Sequence, residues 1–389
     1  MPMPTPPMPR CPGAREGAYE HAIAARVADE HFSTHSAAGP QGRKPVNTPS
    51  PLASQTGAAR RWKPTPLISG TAALHAGAAA ALLAQPSIWP WAAGGVIASH
   101  LALTAAGLWP KSTLLGPNWT RLPELRELAR EPANAPHPPH DQADRRIALT
   151  IDDGPDPDVT PRVLDLLDHY GARATFFCIG DLARRHPQCV EAIVARGHAV
   201  ENHSQRHRHT FSLSGPGALR REIEAAQRTL TEISGMRPLF FRAPAGLRNP
   251  FLEPVLCGLG LRLVSWTRRG FDTRERDPRQ VAQRLLHGLA PRDILLVHDG
   301  HAARAANGQP VVLEVLPEVL RAAANAQLRW TTLREALDPA LDLSADPAPS
   351  AARRSAADAR LARPAEAARP PAGALPGPNG AGHPPFDKI

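Results

Sequence analysis

The 389-residue chain has little cysteine and little lysine, and both shortages narrow the classes of protein to consider. Its four cysteines, Cys11, Cys178, Cys189 and Cys257, show no C-x-x-C spacing, so no disulfide framework is indicated. Only four of the 45 basic residues are lysines, and the net charge of +9 comes from arginine in a chain also rich in Ala, Pro and Gly. No basic stripe interleaved with aromatic residues occurs, so we predict no nucleic-acid partner.

The two ends of the chain lack apolar periodicity. Half of the 44 prolines lie in residues 1–66 and 339–389, together with much Ala, Gly, Ser and Arg. Such composition cannot bury a core, so we predict a disordered Pro/Ala/Arg-rich region over 1–65 and a disordered tail over 338–389. The first apolar run begins beyond residue 65, which argues against a cleavable signal peptide.

Two apolar stretches, 67–84 and 89–108, contain no Asp, Glu, Lys or Arg. Each approaches the ~20 residues that span a bilayer. The turn between them carries Trp89 and Trp91, which suit a membrane interface. We predict a membrane hairpin over 66–110, with membrane lipid as a partner and the bacterial inner membrane as the location, followed by a linker over 111–144. The alternative is a pair of Ala-rich helices packed on each other or on the rest of the protein.

Basic residues flank the hairpin on both sides, and its turn has none. The positive-inside rule then places both ends of the hairpin in the cytoplasm. These flanking residues are Arg60, Arg61 and Lys63 before the hairpin, and Lys111, Arg121 and Arg126 after it.

The rest of the chain alternates strand-like and helical patterns, which predicts a parallel sheet with crossover helices. Thr160-Pro161 and Asp277-Pro278 each look like a helix N-cap followed by a first-turn proline. The seven strand-like runs are 147–151, 174–179, 198–202, 239–243, 261–266, 293–298 and 329–333. Cys178 lies within one of them and is predicted to be a small buried hydrophobe.

Asp152 and Asp153 come directly after the first strand-like run and are followed by Gly154-Pro155. The end of a barrel strand is where catalytic groups are presented. Glycine there leaves room for a ligand near the backbone. The same four residues are also good turn formers, and taken alone they indicate a turn more strongly than a catalytic site.

His203 and His207 follow the third strand-like run. Histidines four apart on a helical turn point to one side and can hold one metal ion. With a carboxylate they leave coordination positions open, as a catalytic metal requires. A basic solvated loop is the alternative, because Arg206, Arg208 and His209 lie in the same segment.

Three further segments complete an ordered set: Arg242-Ala-Pro-Ala-Gly246, the stretch from Trp266 to Asp272, and Leu296-Val-His298-Asp299. With the two above, they resemble the five motifs of the polysaccharide deacetylases of the carbohydrate esterase 4 type, the NodB-homology domain. We place this domain at 145–337. The resemblance implies an α/β fold, a distorted (β/α)7 barrel.

The resemblance also implies a site built around one divalent metal ion, with Zn²⁺ first and Co²⁺, Ni²⁺ or Fe²⁺ as alternatives. Asp153, His203 and His207 are its expected ligands. Asp152 is expected to act as the general base, oriented by Arg242, and His298 as the general acid, held by Asp272. The backbone N–H of Ala245 is expected to donate to the oxyanion. Trp266 and Leu296 are expected to form a wall of the pocket, and ordinary packing in the core is the alternative role for both.

The expected function is removal of N-acetyl or similar acyl groups from an amino sugar in a polysaccharide. An alternative is a deacylase or deformylase of a lipid-linked amino sugar at the inner membrane. Such an enzyme would meet its substrate from the cytoplasm, where the positive-inside rule places the barrel. A non-catalytic sugar-binding barrel and a non-haem Fe(II) oxygenase are competing hypotheses. Two positions depart from the family pattern: Ala245 replaces a frequent aromatic residue, and Thr273 follows Asp272 where tryptophan is common.

Overall fold

The computed structural model describes residues 59–125 and 144–338. These residues belong to one compact unit that spans 51–389. Of the predicted disordered regions, 1–65 and 338–389, the parts at 1–58 and 339–389 lie outside the described residues, as do Cys11 and Arg126.

Two helices open the described part of the chain, α1 (Pro66–Ala84) and α2 (Trp89–Leu108), joined by a short 3-10 turn. Both are long and apolar enough to cross a membrane by length and composition, with mean hydropathy of 1.6 and 1.3. The helices lie side by side, and His75 Nε2 is 3.2 Å from His100 Nε2. No residue of α1 is buried, so this helix does not pack into the protein core.

The end of α2 is attached to the barrel through backbone contacts. Ala106 and Gly107 are the buried residues of α2, and the backbone N–H of Arg248 donates to the carbonyl of Gly107 over 3.1 Å. A Cβ at Gly107 would lie 2.2 Å from the carbonyl oxygen of Arg248, so only glycine permits this approach. The hairpin is therefore held against the loop that follows residue 246.

The barrel domain alternates strands with helices along the chain. Its elements are β1 (Arg146–Asp152), α3 (Thr160–His169), β2 (Ala174–Cys178), α4 (Gly180–Arg185), α5 (Pro187–Ala195), β3 (Ala199–Asn202), α6 (Pro216–Ser234), β4 (Phe240–Phe241), α7 (Leu252–Leu259), β5 (Arg262–Leu263), β6 (Arg268–Arg269), α8 (Pro278–Leu286), β7 (Ile294–His298), α9 (Val311–Asn325), β8 (Arg329–Trp330) and α10 (Leu333–Leu337).

The strands form a curled, entirely parallel sheet in the order β5-β4-β3-β2-β1-β7-β6, with β8 beside the start of β1. Strands β1, β2 and β7 are buried along their whole length, as expected for a sheet covered by crossover helices. The predicted distorted α/β barrel is confirmed. Each predicted strand-like run contains a strand, and β6 is an additional strand that the pattern missed.

The segment after α2, predicted as a linker, lies on the barrel between β5 and β7. Trp119 forms a parallel bridge with Val264, and Arg121 forms an antiparallel bridge with Asp293. The side chain of Leu122 is fully buried. This segment closes the side of the sheet that the short strands leave open.

Three of the cations that flank the hairpin are bound to the barrel. Arg60 lies 3.3 Å from Glu253, and Arg121 lies 2.9 Å from Asp293. Lys111 Nζ donates to the carbonyl of Thr267 over 2.6 Å. These three side chains therefore form polar contacts within the protein itself.

One predicted helix cap is present and the other is not. Asp277 accepts a hydrogen bond from the N–H of Arg279, as an N-cap residue does. The prediction for Thr160 was wrong, because its hydroxyl donates to Asp299 instead and Val159 occupies the cap position. The three cysteines in the described residues are buried and free, including Cys178 as predicted.

Candidate active site

The site begins where β1 ends. Asp153 has φ of 70°, a left-handed conformation that is uncommon for a residue other than glycine. This turn sends the side chains of Asp152 and Asp153 in different directions. A Cβ at Gly154 would lie 2.3 Å from the carboxylate of Asp299, and a Cβ at Gly300 would lie 2.0 Å from the carbonyl of Asp153. The space that glycine leaves at position 154 is therefore occupied by the Asp299 carboxylate, and not by a ligand as predicted.

Asp299 lies directly beneath this turn and is buried. It accepts a hydrogen bond from the Thr160 hydroxyl over 2.5 Å and another from the N–H of Gly300. Burial raises the pKa of Asp299 to about 7, against the opposing effect of these hydrogen bonds. The residue supports the loop that carries Asp153.

His203 and His207 meet Asp153, although not on a helical turn as predicted from their spacing. They lie in an irregular loop after β3, in which Ser204 and His207 have φ of 67° and 49°. These left-handed residues fold the loop back on itself, and the two imidazole rings lie 4.7 Å apart. The N–H of His207 is fixed by the hydroxyl of Ser204 over 3.0 Å.

The three side chains offer three donor atoms to one point. Asp153 Oδ1 lies 3.1 Å from His203 Nε2 and 3.2 Å from His207 Nε2, and the ligand atoms all lie within 4.8 Å of one another. His203 Nδ1 lies 2.9 Å from the carbonyl of Arg242, which orients Nε2 towards the cluster. One carboxylate and two imidazoles suit a divalent metal with open positions. The chemistry of this donor set therefore fits the expected ion.

The surroundings of Asp153, His203 and His207 favour an ionised carboxylate at Asp153 and a neutral ring at His207. Burial by itself would raise the pKa of Asp153, but hydrogen bonds from His203 and His301 outweigh it and hold that pKa well below its usual range. Burial, reinforced by the neighbouring His203, lowers the pKa of His207 to about 4. His207 is therefore neutral at neutral pH, the form that binds metal.

Asp152 points into the barrel and meets Arg242, which follows β4. Arg242 Nη1 donates to Asp152 Oδ1 over 2.6 Å and to the Thr150 hydroxyl over 2.9 Å. Its Nη2 donates to the carbonyl of Ser265 over 2.8 Å, and its guanidinium lies 4.1 Å from the centre of the Phe177 ring. Arg242 is 1% exposed, so it is a buried arginine and not a surface one.

The loop after Arg242 forms one edge of the cleft. Ala245 lines the cleft and has φ of 55° within a short 3-10 turn. A Cβ at Gly246 would lie 2.7 Å from the Trp266 ring and 2.8 Å from Pro110, so this turn, the tryptophan and the segment after α2 are in tight contact. The hairpin thus ends beside the site.

His298 faces the same cleft from β7. Its Nδ1 lies 2.9 Å from Asp272 Oδ1, and its backbone N–H donates to Asp272 Oδ2 over 2.6 Å. Burial alone would lower the pKa of His298, but the charge of Asp272 and its side-chain hydrogen bond with Nδ1 raise that pKa. Although Thr273 replaces the usual tryptophan, the acidic residue reaches the histidine.

A cleft of about 550 Å³ brings these groups together, and it is lined by Asp152, Asp153, His203, His207, Ala245, Trp266, Leu296 and His298 among others. Trp266 and Leu296 are 5% and 1% exposed, so they contribute both to the core and to the wall. Sequence reasoning missed His301, whose Nδ1 lies 3.5 Å from Asp153 Oδ2. Its position just after His298-Asp299 was the available signal.

Several known proteins are similar to this chain. The model of the polysaccharide deacetylase family matches residues 140–264. A peptidoglycan-N-acetylglucosamine deacetylase of Bacillus cereus is 32% identical over 193 residues, which cover 49% of this chain and 87% of that protein. A chitooligosaccharide deacetylase of Azorhizobium caulinodans is 35% identical over 155 residues, which cover 40% of this chain and 73% of that protein. A family 4 carbohydrate esterase from Streptomyces lividans, solved with acetate, is 30% identical, with a TM-score of 0.43 over 48% of this chain and 91% of that one.

The chain belongs to the polysaccharide deacetylase family. It is a metal-dependent hydrolase that acts on carbon–nitrogen bonds of N-acetylated amino sugars. The parallel sheet also separates it from Fe(II) oxygenases with the same ligand types, which are usually built on antiparallel strands.

Proposed function

We propose that this enzyme removes N-acetyl groups from a bacterial cell-wall or chitin-like polymer at the surface of a membrane, using one Zn²⁺ ion. The observation that carries the proposal is the convergence of Asp153, His203 and His207 beside an Asp152 carboxylate fixed by a buried arginine. The two named relatives supply the substrate class, N-acetylglucosamine units in peptidoglycan or in chitooligosaccharides.

Asp153, His203 and His207 would hold the ion. When bound, it supplies Lewis-acid activation of a water molecule and of the acyl carbonyl. Zn²⁺ is favoured because two imidazoles and one carboxylate are a common ligand set of catalytic zinc, and Co²⁺, Ni²⁺ or Fe²⁺ can occupy the same donors.

Asp152 would accept the proton of the attacking water. Arg242 prepares it for this role, because a buried guanidinium with bonds to Asp152, Thr150 and Ser265 cannot move without breaking several contacts. Its positive charge lies directly beside the buried carboxylate. Proton transfer to a group of this kind contributes typically 10²- to 10⁴-fold to a rate.

His298 would donate the proton that the leaving amine needs. Asp272 binds Nδ1 and raises the pKa of the ring, so Nε2 retains a proton that it can give to the cleft. The backbone N–H of Ala245 would donate to the oxyanion, and Trp266 and Leu296 would enclose the acyl methyl group.

The hairpin supports a location at a membrane. Its helices are apolar and largely exposed. Large exposed apolar side chains occur at the last residue of α2, Leu108, and just beyond it at Trp109 and Leu114, which are 60%, 61% and 52% exposed. The loop that contacts the end of α2 follows Ala245 directly. Because the hairpin ends beside the cleft, a lipid-linked amino sugar at the inner membrane is the second candidate substrate.

The test is release of acetate by the purified full-length protein from N-acetylglucosamine oligomers, from peptidoglycan and from a lipid-linked N-acetylated sugar. Zinc analysis of the same sample gives the metal stoichiometry, and an oxygen-uptake assay serves as the control for oxidative chemistry. Sugar binding without acetate release at one bound metal per chain would overturn the proposal in favour of a binding barrel. Full-length protein found entirely in the detergent-free soluble fraction would overturn the membrane location.

A further inference from the structure

Four arginines line the same cleft as the candidate metal ligands, and the reaction described above uses none of them. They are Arg185, Arg206, Arg269 and Arg274. Within residues 59–125 and 144–338, none of these guanidinium groups lies within salt-bridge distance of a carboxylate. The rim of the cleft therefore carries positive charge that the described part of the protein does not neutralise.

Arg269 is the most firmly held of the four. Its guanidinium lies 5.3 Å from the centre of the Trp266 ring and 5.1 Å from the centre of the Phe271 ring. Its backbone pairs with Leu296, two residues before His298. Stacking between two rings leaves the edge of the guanidinium, with its N–H groups, available to a planar acceptor.

One donor of Arg269 is buried and lacks an acceptor. Its Nε forms no hydrogen bond among the described residues, although the atom is shielded from solvent. A buried donor without a partner costs about 1–3 kcal/mol, so such atoms are rare in native proteins. The Arg269 side chain is thus positioned by its two neighbouring rings, with no hydrogen bond from Nε among the described residues.

Phe271, which forms one side of this arrangement, is itself unusual. Its φ is 62°, a strained value for an aromatic residue, and its side chain is 49% exposed. Strained residues concentrate where a ligand is held. The loop thus keeps an apolar ring at the surface while the ring contacts the Arg269 guanidinium.

The acidic groups of the cleft are already engaged. Asp152 is bound to Arg242, and Asp153 to the two histidines. Asp181 accepts from Gln205 Nε2 over 2.6 Å. A divalent ion held by Asp153, His203 and His207 would add positive charge to that of the four arginines, a combination that favours anions.

We propose that the cleft binds an oxyanion, a carboxylate or a phosphate, carried by the substrate close to the N-acylated sugar, with Arg269 as its main partner and Arg274 beside it. The inference rests on the proposed deacetylase function and refines its substrate class. Neutral chitin-like oligomers are then poorer substrates than oligomers in which neighbouring sugars are acidic. The anion has two chemical sources, a carboxylate on a polymer sugar or a phosphate on a lipid carrier.

The test compares kcat/KM for acetate release from three substrates of matched length: a neutral N-acetylglucosamine oligomer, the same oligomer with lactyl carboxylates on alternate sugars, and the same oligomer with a phosphate on its terminal sugar. We expect Arg269→Gln to lower kcat/KM by roughly 10- to 100-fold on one anionic substrate, as for loss of a charge-assisted hydrogen bond, with little change on the neutral one. Arg274→Gln should give a smaller loss on the same substrate. The anionic substrate that is affected identifies the source of the oxyanion.

Arg279→Gln is the matched control, because Arg279 is an exposed arginine on α8 and its substitution removes the same unit charge outside the cleft. Arg269→Lys retains the charge and loses the planar geometry, so it should recover part of the selectivity. Circular dichroism and metal content are measured for each variant, and if Arg269→Gln does not fold, Arg274→Gln decides. Equal kcat/KM of the wild type on neutral and anionic substrates, or equal losses on both, would overturn the inference while leaving the deacetylase function intact. No acetate from any substrate would instead remove the proposed function itself.

Discussion

Two walls of the cleft each place histidine beside a buried aspartate, and the two environments have different effects on the imidazole. On the first wall, two histidines share the single oxygen Asp153 Oδ1, and burial with the neighbouring ring lowers the pKa of His207 to about 4. On the second wall, the charge and hydrogen bond of Asp272 outweigh burial and raise the pKa of His298. Burial beside a second imidazole therefore keeps the His207 ring neutral, although Asp153 by itself raises the pKa of both of its histidines. The Asp272 carboxylate favours a proton donor at His298.

The largest effect is expected on the first wall. Asp153→Ala, His203→Ala or His207→Ala should each abolish both metal binding and activity, because two donors do not retain a divalent ion against water. Metal analysis and acetate release on the same samples measure this. His209→Ala removes an exposed histidine of the same cleft and should retain the metal. One metal ion per chain in all three ligand variants would disprove the site.

The next effect separates chemistry from metal binding. Asp152→Asn keeps the size of the side chain and loses the proton acceptor, so kcat should fall by about 10²- to 10⁴-fold while the metal stays bound. Asp158→Asn, an exposed residue of the same loop, is the control. Wild-type turnover in Asp152→Asn would show that the base is another group.

The second wall should appear in the pH profile. As the proposed general acid, His298 would act only when protonated, and its pKa is raised, so activity should persist at neutral pH and fall as pH rises through that pKa. His298→Ala should remove this alkaline limb, whereas Asp272→Asn should move it to lower pH because the charge that raises the pKa is lost. The control is His287→Ala, which removes an exposed histidine. An unchanged limb with most of the rate retained in His298→Ala would exclude it as the acid.

The smallest effect on catalysis is expected from removal of the hairpin. A chain beginning at Trp109 retains the segment that closes the sheet, so it should be soluble without detergent, bind metal and cleave short oligomers at near the full-length rate. Activity on a lipid-linked sugar should fall because proximity to the membrane is lost. A chain beginning at Asp141 is the contrast, since it also lacks Trp119 and buried Leu122 and should be less stable by about 2–5 kcal/mol or more. Equal thermal stability of the two shortened chains would contradict the role of that segment.

Long apolar runs were predictable, and short or charged elements were not. Strands β1, β2 and β7 are buried throughout and follow from their hydrophobicity. Strand β6 consists of Arg268 and Arg269, whose pairing with β7 is imposed by the sheet rather than by any local preference. The segment 119–122 likewise has no strand pattern, and it joins the barrel because the neighbouring strands leave an opening.

The histidine loop shows the limit of reasoning from spacing. A separation of four residues suits a helical turn, yet His203 and His207 converge through left-handed residues in an irregular loop. The residue types together with the family resemblance predicted a metal site, whereas the local conformation was not predictable because it depends on contacts with Asp153 and Arg242. The same is true of Arg269, whose position between two rings has no sequence signature.

The sequence by itself determined the order of strands and helices and the kinds of ligand that follow each strand, because hydrophobic periodicity and the carboxyl ends of parallel strands gather those residues at one edge. Only the tertiary structure decided how two adjacent and chemically identical aspartates divide their contacts. The left-handed turn at Asp153 presents one carboxylate to the histidines, and the buried guanidinium of Arg242 holds the other. It also decided that the apolar hairpin ends beside the cleft, since the contact of Gly107 with Arg248 joins residues far apart in the chain.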